Sequence, residues 1–136
     1  MRKQVVGCLI RCGNRYLVLQ RAAGKTQAGK FGIPAGKIDF GETKEEALER
    51  EVFEETGFRL DTSAISLAEK IDHEFDETDQ VTFFAYVTEV SEEFEPKLSP
   101  SEHTGWAWMS LSDMRGSDQT IDTLADIVAR YEAQSS

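Results

Sequence analysis

The amino-acid sequence predicts one α/β domain over residues 1–136, a mixed β-sheet sandwiched between α-helices. Two observations carry this. Segments rich in β-branched and aromatic residues alternate with two stretches of helical periodicity. The 136 residues are 40% hydrophobic, which suits a single core. No repeat, low-complexity tract or linker composition divides the chain.

Lys3–Arg11 (KQVVGCLIR) and Arg15–Arg21 (RYLVLQR) flank the turn CGN and read as a hairpin. Residues 22–42 (AAGKTQAGKFGIPAGKIDFGE) hold five Gly and one Pro, too many for regular structure beyond a short strand near Phe31–Ile33. A helix follows over Lys44–Thr56. Thr43 is its expected N-cap, Glu46 completes a capping box, and Gly57 ends it as a left-handed C′ residue. Ile65–Phe75 and Gln80–Val90 read as two strands around the acidic turn DETD, and a loop over residues 91–105 leads to a last strand, WAWMSL. In the C-terminal segment, Ile121, Leu124, Val128 and Tyr131 recur at helical spacing, with Ser117 or Asp118 as the expected N-cap.

Composition excludes several functions. With 25 acidic and 15 basic residues the formal charge is -10, which opposes binding to duplex nucleic acid or an anionic membrane. An anionic substrate then needs a metal or a local basic pocket. No apolar run approaches ~18 residues, and MRKQVVGCLIRCGNR lacks the pattern of a signal peptide, so a cytoplasmic protein is expected. Cys8 and Cys12, four apart in extended chain, are too distant to bridge and read as small buried hydrophobes. DHEFDETD lacks the Gly at the sixth position and the Glu at the twelfth of a calcium-binding EF-hand loop, and reads as a solvated hairpin turn.

The helix itself poses the chemical question. At about 100° per residue, Ala47, Glu51, Glu54 and Glu55 share one side, Leu48 and Val52 lie beside them, and Glu45 and Glu49 point away. Glu51 has like charges at i+3 and i+4, each pair costing roughly 0.2 to 0.5 kcal/mol. Arg50 is the nearest base and cannot neutralise all three. A hard divalent cation such as Mg²⁺ prefers carboxylate oxygens and commonly bridges them to substrate phosphates. The trio is therefore expected to be a metal platform.

At these residues the chain resembles the Nudix hydrolases. Their signature is met without mismatch by Gly36, Glu42, Arg50, Glu51, Val52, Glu54, Glu55, Gly57 and Phe58, nine fixed positions in the 23-residue frame 36–58. LQRAAGKTQAGKFGIPAGKIDFGET before the box, AEKIDHEF after it and the later WMSL are most similar to the MutT branch. The resemblance implies the Nudix α/β/α sandwich and metal-dependent hydrolysis of a nucleotide diphosphate linkage, with Mg²⁺ as cofactor and Mn²⁺ able to substitute. It also implies a site. Glu51, Glu54 and Glu55 would bind metal with the Ala35 carbonyl and a loop glutamate matched by Glu102, while Arg50 orients the cluster and Glu42 organises the loop. Glu54 or Glu102 would take a proton from the attacking water. Gly36 and Gly57 are motif glycines. His103 reads as a surface residue able to assist Glu102.

For substrate, the MutT branch implies a nucleoside triphosphate, oxidised guanine nucleotides among them, cleaved to monophosphate and pyrophosphate. Arg21 matches a nucleotide-contacting arginine of that branch and reads equally as a structural strand-end residue; Lys37 is the other expected contact, with Lys25 and Lys30 adding positive charge. Asp118 or Gln119 stands where that branch reads the base with an asparagine. PAG before the box, in place of PGG, also occurs in ADP-sugar pyrophosphatases, so an ADP-ribose or nucleotide-sugar pyrophosphatase is the alternative. A metal- or nucleotide-binding module without turnover is the non-enzyme alternative. Trp106, Phe31 and Phe75 are able to stack on a base but read first as core. The expected partner is a small-molecule nucleotide, bound by a monomer or homodimer.

Overall fold

The structure is a computed structural model that describes residues 2–74, 80–121 and 123–135. Its strands are β1 (Arg2–Cys12), β2 (Arg15–Arg21), β3 (Phe31–Gly32), β4 (Ala35–Lys37), β5 (Ser66–Glu74), β6 (Gln80–Glu89) and β7 (His103–Ser110). The helices are α1 (Lys44–Thr56), α2 (Leu111–Arg115) and α3 (Leu124–Ser135), with a 3₁₀ turn at Thr62–Ala64. The turn DETD and Phe75 lie outside the described residues.

β1 organises the sheet. It runs parallel to β6 from Arg2↔Gln80 to Arg11↔Glu89, and its other edge takes β4 antiparallel and then the end of β2 at the hairpin. β5 extends β6, while β2 carries β3 and β7. Parallel pairing buries a strand on both faces, which explains why β1 is apolar without interruption from Cys8 to Ile10. Alternate side chains go to opposite layers. Val6, Cys8 and Ile10 pack with Leu17, Leu19 and the α1 residues Ala47, Leu48 and Val52. Leu9, Tyr16 and Val18 pack with Met114 of α2 and Leu124, Ile127 and Val128 of α3. The expected sandwich is present, and its second face carries two helices.

Four local expectations are corrected. β4 forms in a segment expected to be loop, because pairing with Val5, Val6 and Gly7 of β1 outweighs its composition. α2 replaces the end of the last strand, nucleated by a capping box in which Ser110 accepts from the Asp113 N–H and Asp113 accepts from the Ser110 N–H. α3 starts at Leu124 and not after a cap at Ser117 or Asp118. Residues there are drawn to the sheet instead: the Phe31 N–H donates to Gln119 O (2.7 Å) and Phe31 bridges Thr120. Trp106 is 39% exposed and stands outside both core clusters, whereas Phe31 packs as expected. Cys8 is buried as expected, whereas Cys12 near the hairpin turn is only partly buried against the core; both cysteines are free, and desolvation pushes the Cys8 thiol up to about 12. Among the described residues no helix is long and apolar enough to cross a membrane.

Candidate active site

α1 has the predicted ends. Thr43 Oγ1 accepts from the Glu46 N–H (3.1 Å), Glu46 Oε1 accepts from the Thr43 N–H (2.9 Å), and Gly57 at φ 76° donates its N–H to Phe53 O (2.8 Å). These caps set the helix phase. Ala47, Leu48 and Val52 fill the core, and the same rotation brings Glu51 and Glu55 to the border of that stripe, against β4. Glu45 was expected to point away and is half-buried beside Tyr86, with one carboxylate oxygen buried and unpaired. The start of α1 lies over β6, where the Lys44 ammonium also sits 4.9 Å from the Phe84 ring centre.

The three box carboxylates differ in environment. The Glu55 side chain is 7% exposed and accepts from the Ala35 N–H at 3.1 Å. Desolvation, together with the neighbouring Glu51 and Glu102 charges, raises its pKa well above the carboxylate range despite that hydrogen bond. Glu51 Oε1 accepts from Arg50 Nη1 at 2.6 Å. Glu54 is 56% exposed and meets Arg50 only at 3.6 Å, so it is the least committed of the three.

Arg50 works as a clamp. Its Nε and Nη2 donate to the two Glu42 oxygens at 2.7 and 2.9 Å, and Nη2 also donates to Lys37 O at 3.0 Å. This fork is the bidentate geometry that lysine lacks. Through it, and through the Asp39 N–H, the Glu42 carboxyl is pulled down to about 2. The loop over residues 37–42 is thereby fastened to α1, and Gly36 is held against Glu51 so closely that a Cβ would fall on the Glu51 carboxylate.

One cavity of about 530 Å³ gathers most of the expected residues: Arg21, Ala35, Gly36, Lys37, Glu51, Glu54, Glu55 and Glu102 all line it. Ile33, Lys25, Ser99 and His103 complete it. Ser99 carries no sequence signal. His103 corrects its surface reading: it opens β7, pairs with Arg21 and is 7% exposed, with Nδ1 buried and without a partner. Burial, reinforced by Arg21 and Lys25, pushes its imidazole below the ordinary value. Arg21 is committed to its loop, donating from Nε to Thr26 O at 2.6 Å. Asp118 and Gln119 are not brought to this cavity. Both are exposed beside β3, and Asp118 lines a separate depression with Lys30 and Asp126.

Among the described residues no three acidic, histidine or cysteine side chains already converge on a single coordination point. Glu51 and Glu55 are instead anchored by Arg50 and the Ala35 N–H. The donor chemistry nevertheless fits a hard divalent cation: several carboxylates border one polar cavity, and the most buried of them bears like charges on either side. Anchoring by outer hydrogen bonds is also what orients ligating carboxylates.

Fold and cavity together define an α/β/α sandwich protein with an acidic helix facing a basic loop across a polar cleft. The chain belongs to the NUDIX domain family, which matches residues 1–131. It is 34% identical over 113 residues to the 8-oxo-dGTP diphosphatase of Escherichia coli, covering 83% of each chain. Its structure is similar to that of the MutT protein from Methanosarcina mazei, with a TM-score of 0.83 at 28% identity over 98% of this chain and 95% of the other. The NUDIX domain of Shewanella oneidensis NrtR, solved with ADP ribose, aligns with a TM-score of 0.82 over 100% of this chain and 90% of that one. At 15% identity that likeness is of fold alone.

Proposed function

We propose that this protein hydrolyses a nucleoside triphosphate, including one oxidised on the base, to the monophosphate and pyrophosphate, with Mg²⁺ as cofactor and Mn²⁺ as a substitute. The observation that carries the reading is the buried Glu55 carboxylate, flanked by Glu51 and Glu102 on a cavity that also holds Arg21, Lys25 and Lys37. The 34% identity to a diphosphatase of a nucleoside triphosphate supports the substrate class.

Glu51, Glu54, Glu55 and Glu102, with the Ala35 carbonyl, would hold the cation. Bound there, a divalent cation supplies positive charge to the phosphate chain and acidifies a water molecule. Arg50 fixes Glu51 in place and Glu42 fixes Arg50, so neither needs to touch substrate. Glu54 is favoured as the proton acceptor because it is 56% exposed, borders the cavity and meets Arg50 only at 3.6 Å. Water attacks phosphorus in line, its proton passes to the carboxylate, and pyrophosphate departs. Lys37 and Arg21 lend positive potential to an otherwise acidic molecule. A base contact by Asp118 or Gln119 rests on sequence position, since both stand outside the cavity.

A panel of triphosphates, dinucleoside polyphosphates, ADP-ribose, nucleotide sugars and coenzyme A, with products identified, tests this. The highest kcat/KM is expected for a triphosphate, yielding monophosphate and pyrophosphate. ADP-ribose ahead by more than about tenfold, equivalent to roughly 1.4 kcal/mol, would replace the reading with the ADP-sugar alternative.

A further inference from the structure

The wall of the cavity opposite α1 is built from the loop between β2 and β3 and the turn before β7. The loop is pinned from within: Arg21 donates to Thr26 O at 2.6 Å and Thr26 Oγ1 at 3.2 Å, and Gln20 Nε2 donates to Gly29 O at 3.1 Å. The Ala22 N–H donates to Glu102 O at 2.9 Å, joining loop to turn. Across this junction Lys25 Nζ meets Glu102 Oε2 at 3.1 Å, with the two side chains 37% and 46% exposed. Beside the pair lies the buried His103 ring with its unpartnered Nδ1, so the wall retains polar capacity that the protein itself does not satisfy.

We propose that Lys25 is a placeholder cation and a substrate-positioning residue. It neutralises Glu102 until a divalent cation takes that carboxylate, and the released ammonium then grips the phosphate chain. This rests on the metal site and triphosphate substrate proposed above. Three features support the exchange. An ion pair this exposed is worth only a factor of a few in an equilibrium constant, so a divalent cation displaces it readily. The lysine stem is long and flexible while its backbone is fixed, so the ammonium can swing without moving the loop. Both partners already border the same cavity as the α1 carboxylates, so the freed charge stays within reach of the substrate.

The two roles have opposite signs, which separates them from a structural one. In the full chain, Lys25→Met is expected to bind Mn²⁺ about twofold to fivefold more tightly, measured by EPR titration without nucleotide, because Glu102 loses its competitor. The same variant is expected to raise the KM for a nucleoside triphosphate about tenfold, with the loss concentrated in KM rather than kcat. Lys25→Arg, which keeps the charge, should restore both quantities towards wild type. Weakening of both metal and substrate, no change in either, or only one of the two shifts overturns the proposal. Failure of wild type itself to bind Mn²⁺ overturns this proposal together with the metal site. Normal Mn²⁺ binding and hydrolysis in wild type, matched by Lys25→Met, overturns the role of Lys25 alone.

Discussion

Glu54→Gln and Glu55→Gln are each expected to lower kcat by about two orders of magnitude or more, while the metal-free protein melts at or above the wild-type temperature. Both halves follow from one arrangement. Glu55 is 7% exposed beside Glu51, and Glu51 has Glu54 and Glu55 one helical turn further on. Without a cation these charges oppose folding, so a neutral isostere relieves the helix while removing a ligand or a proton acceptor. An acidic face that merely decorates the surface would gain the same tenths of a kcal/mol and lose no activity. Stabilisation by added Mg²⁺ is expected to be correspondingly weaker in both variants, as a shift in melting temperature on titration would show. Glu49→Gln, exposed on the outer face, is the control and leaves both measurements near wild type.

The pH dependence of metal-free stability carries the same signature. Burial and like charges raise the folded-state pKa of Glu55 above its unfolded value, so the folded protein holds the proton more tightly. Its contribution to stability is therefore present below the ordinary carboxylate range and is lost as pH rises towards the raised value. Glu55→Gln removes that loss, so thermal melts of the two proteins diverge with increasing pH. Melting curves that stay parallel across this window contradict the environment assigned to Glu55.

Gly36→Ala is the second large effect. The added Cβ falls on the Glu51 carboxylate, which Arg50 holds at 2.6 Å, and the flexible end of Glu51 is what must move. Gly36 does not lie among the positive-φ glycines, so its backbone accepts alanine. The expected result is a folded protein, destabilised by no more than about 1–3 kcal/mol, with kcat down by a factor on the order of 100. Wild-type kcat in Gly36→Ala would mean that the observed Glu51 position is not needed for turnover.

What the sequence disclosed and what it concealed divide along physical lines. α1 was legible to the residue, because Thr43, Glu46 and Gly57 encode its ends through local hydrogen bonds and backbone handedness. The carboxylate cluster was legible because Glu51, Glu54 and Glu55 at i, i+3 and i+4 share one side of α1, and all three line the same cavity. β4 was not, since AGK has no strand character until β1 offers an edge. The segment around Asp118 has a plausible cap, yet its backbone bonds to Phe31 compete with helix formation and delay α3 to Leu124. His103 looked like a loop residue because the pairing that buries it, with Arg21, joins positions 82 apart in sequence. α2 did carry a local signal, the Ser110–Asp113 capping box, hidden by the apolar residues before it.

If the α1 carboxylates act through a divalent cation, the rate of pyrophosphate release by the wild-type protein follows the concentration of free metal. No turnover is expected in excess chelator, with full recovery on Mg²⁺ or Mn²⁺ and poor recovery on Ca²⁺, whose larger and looser coordination misplaces the attacking water. Undiminished release of pyrophosphate in excess chelator would contradict the account.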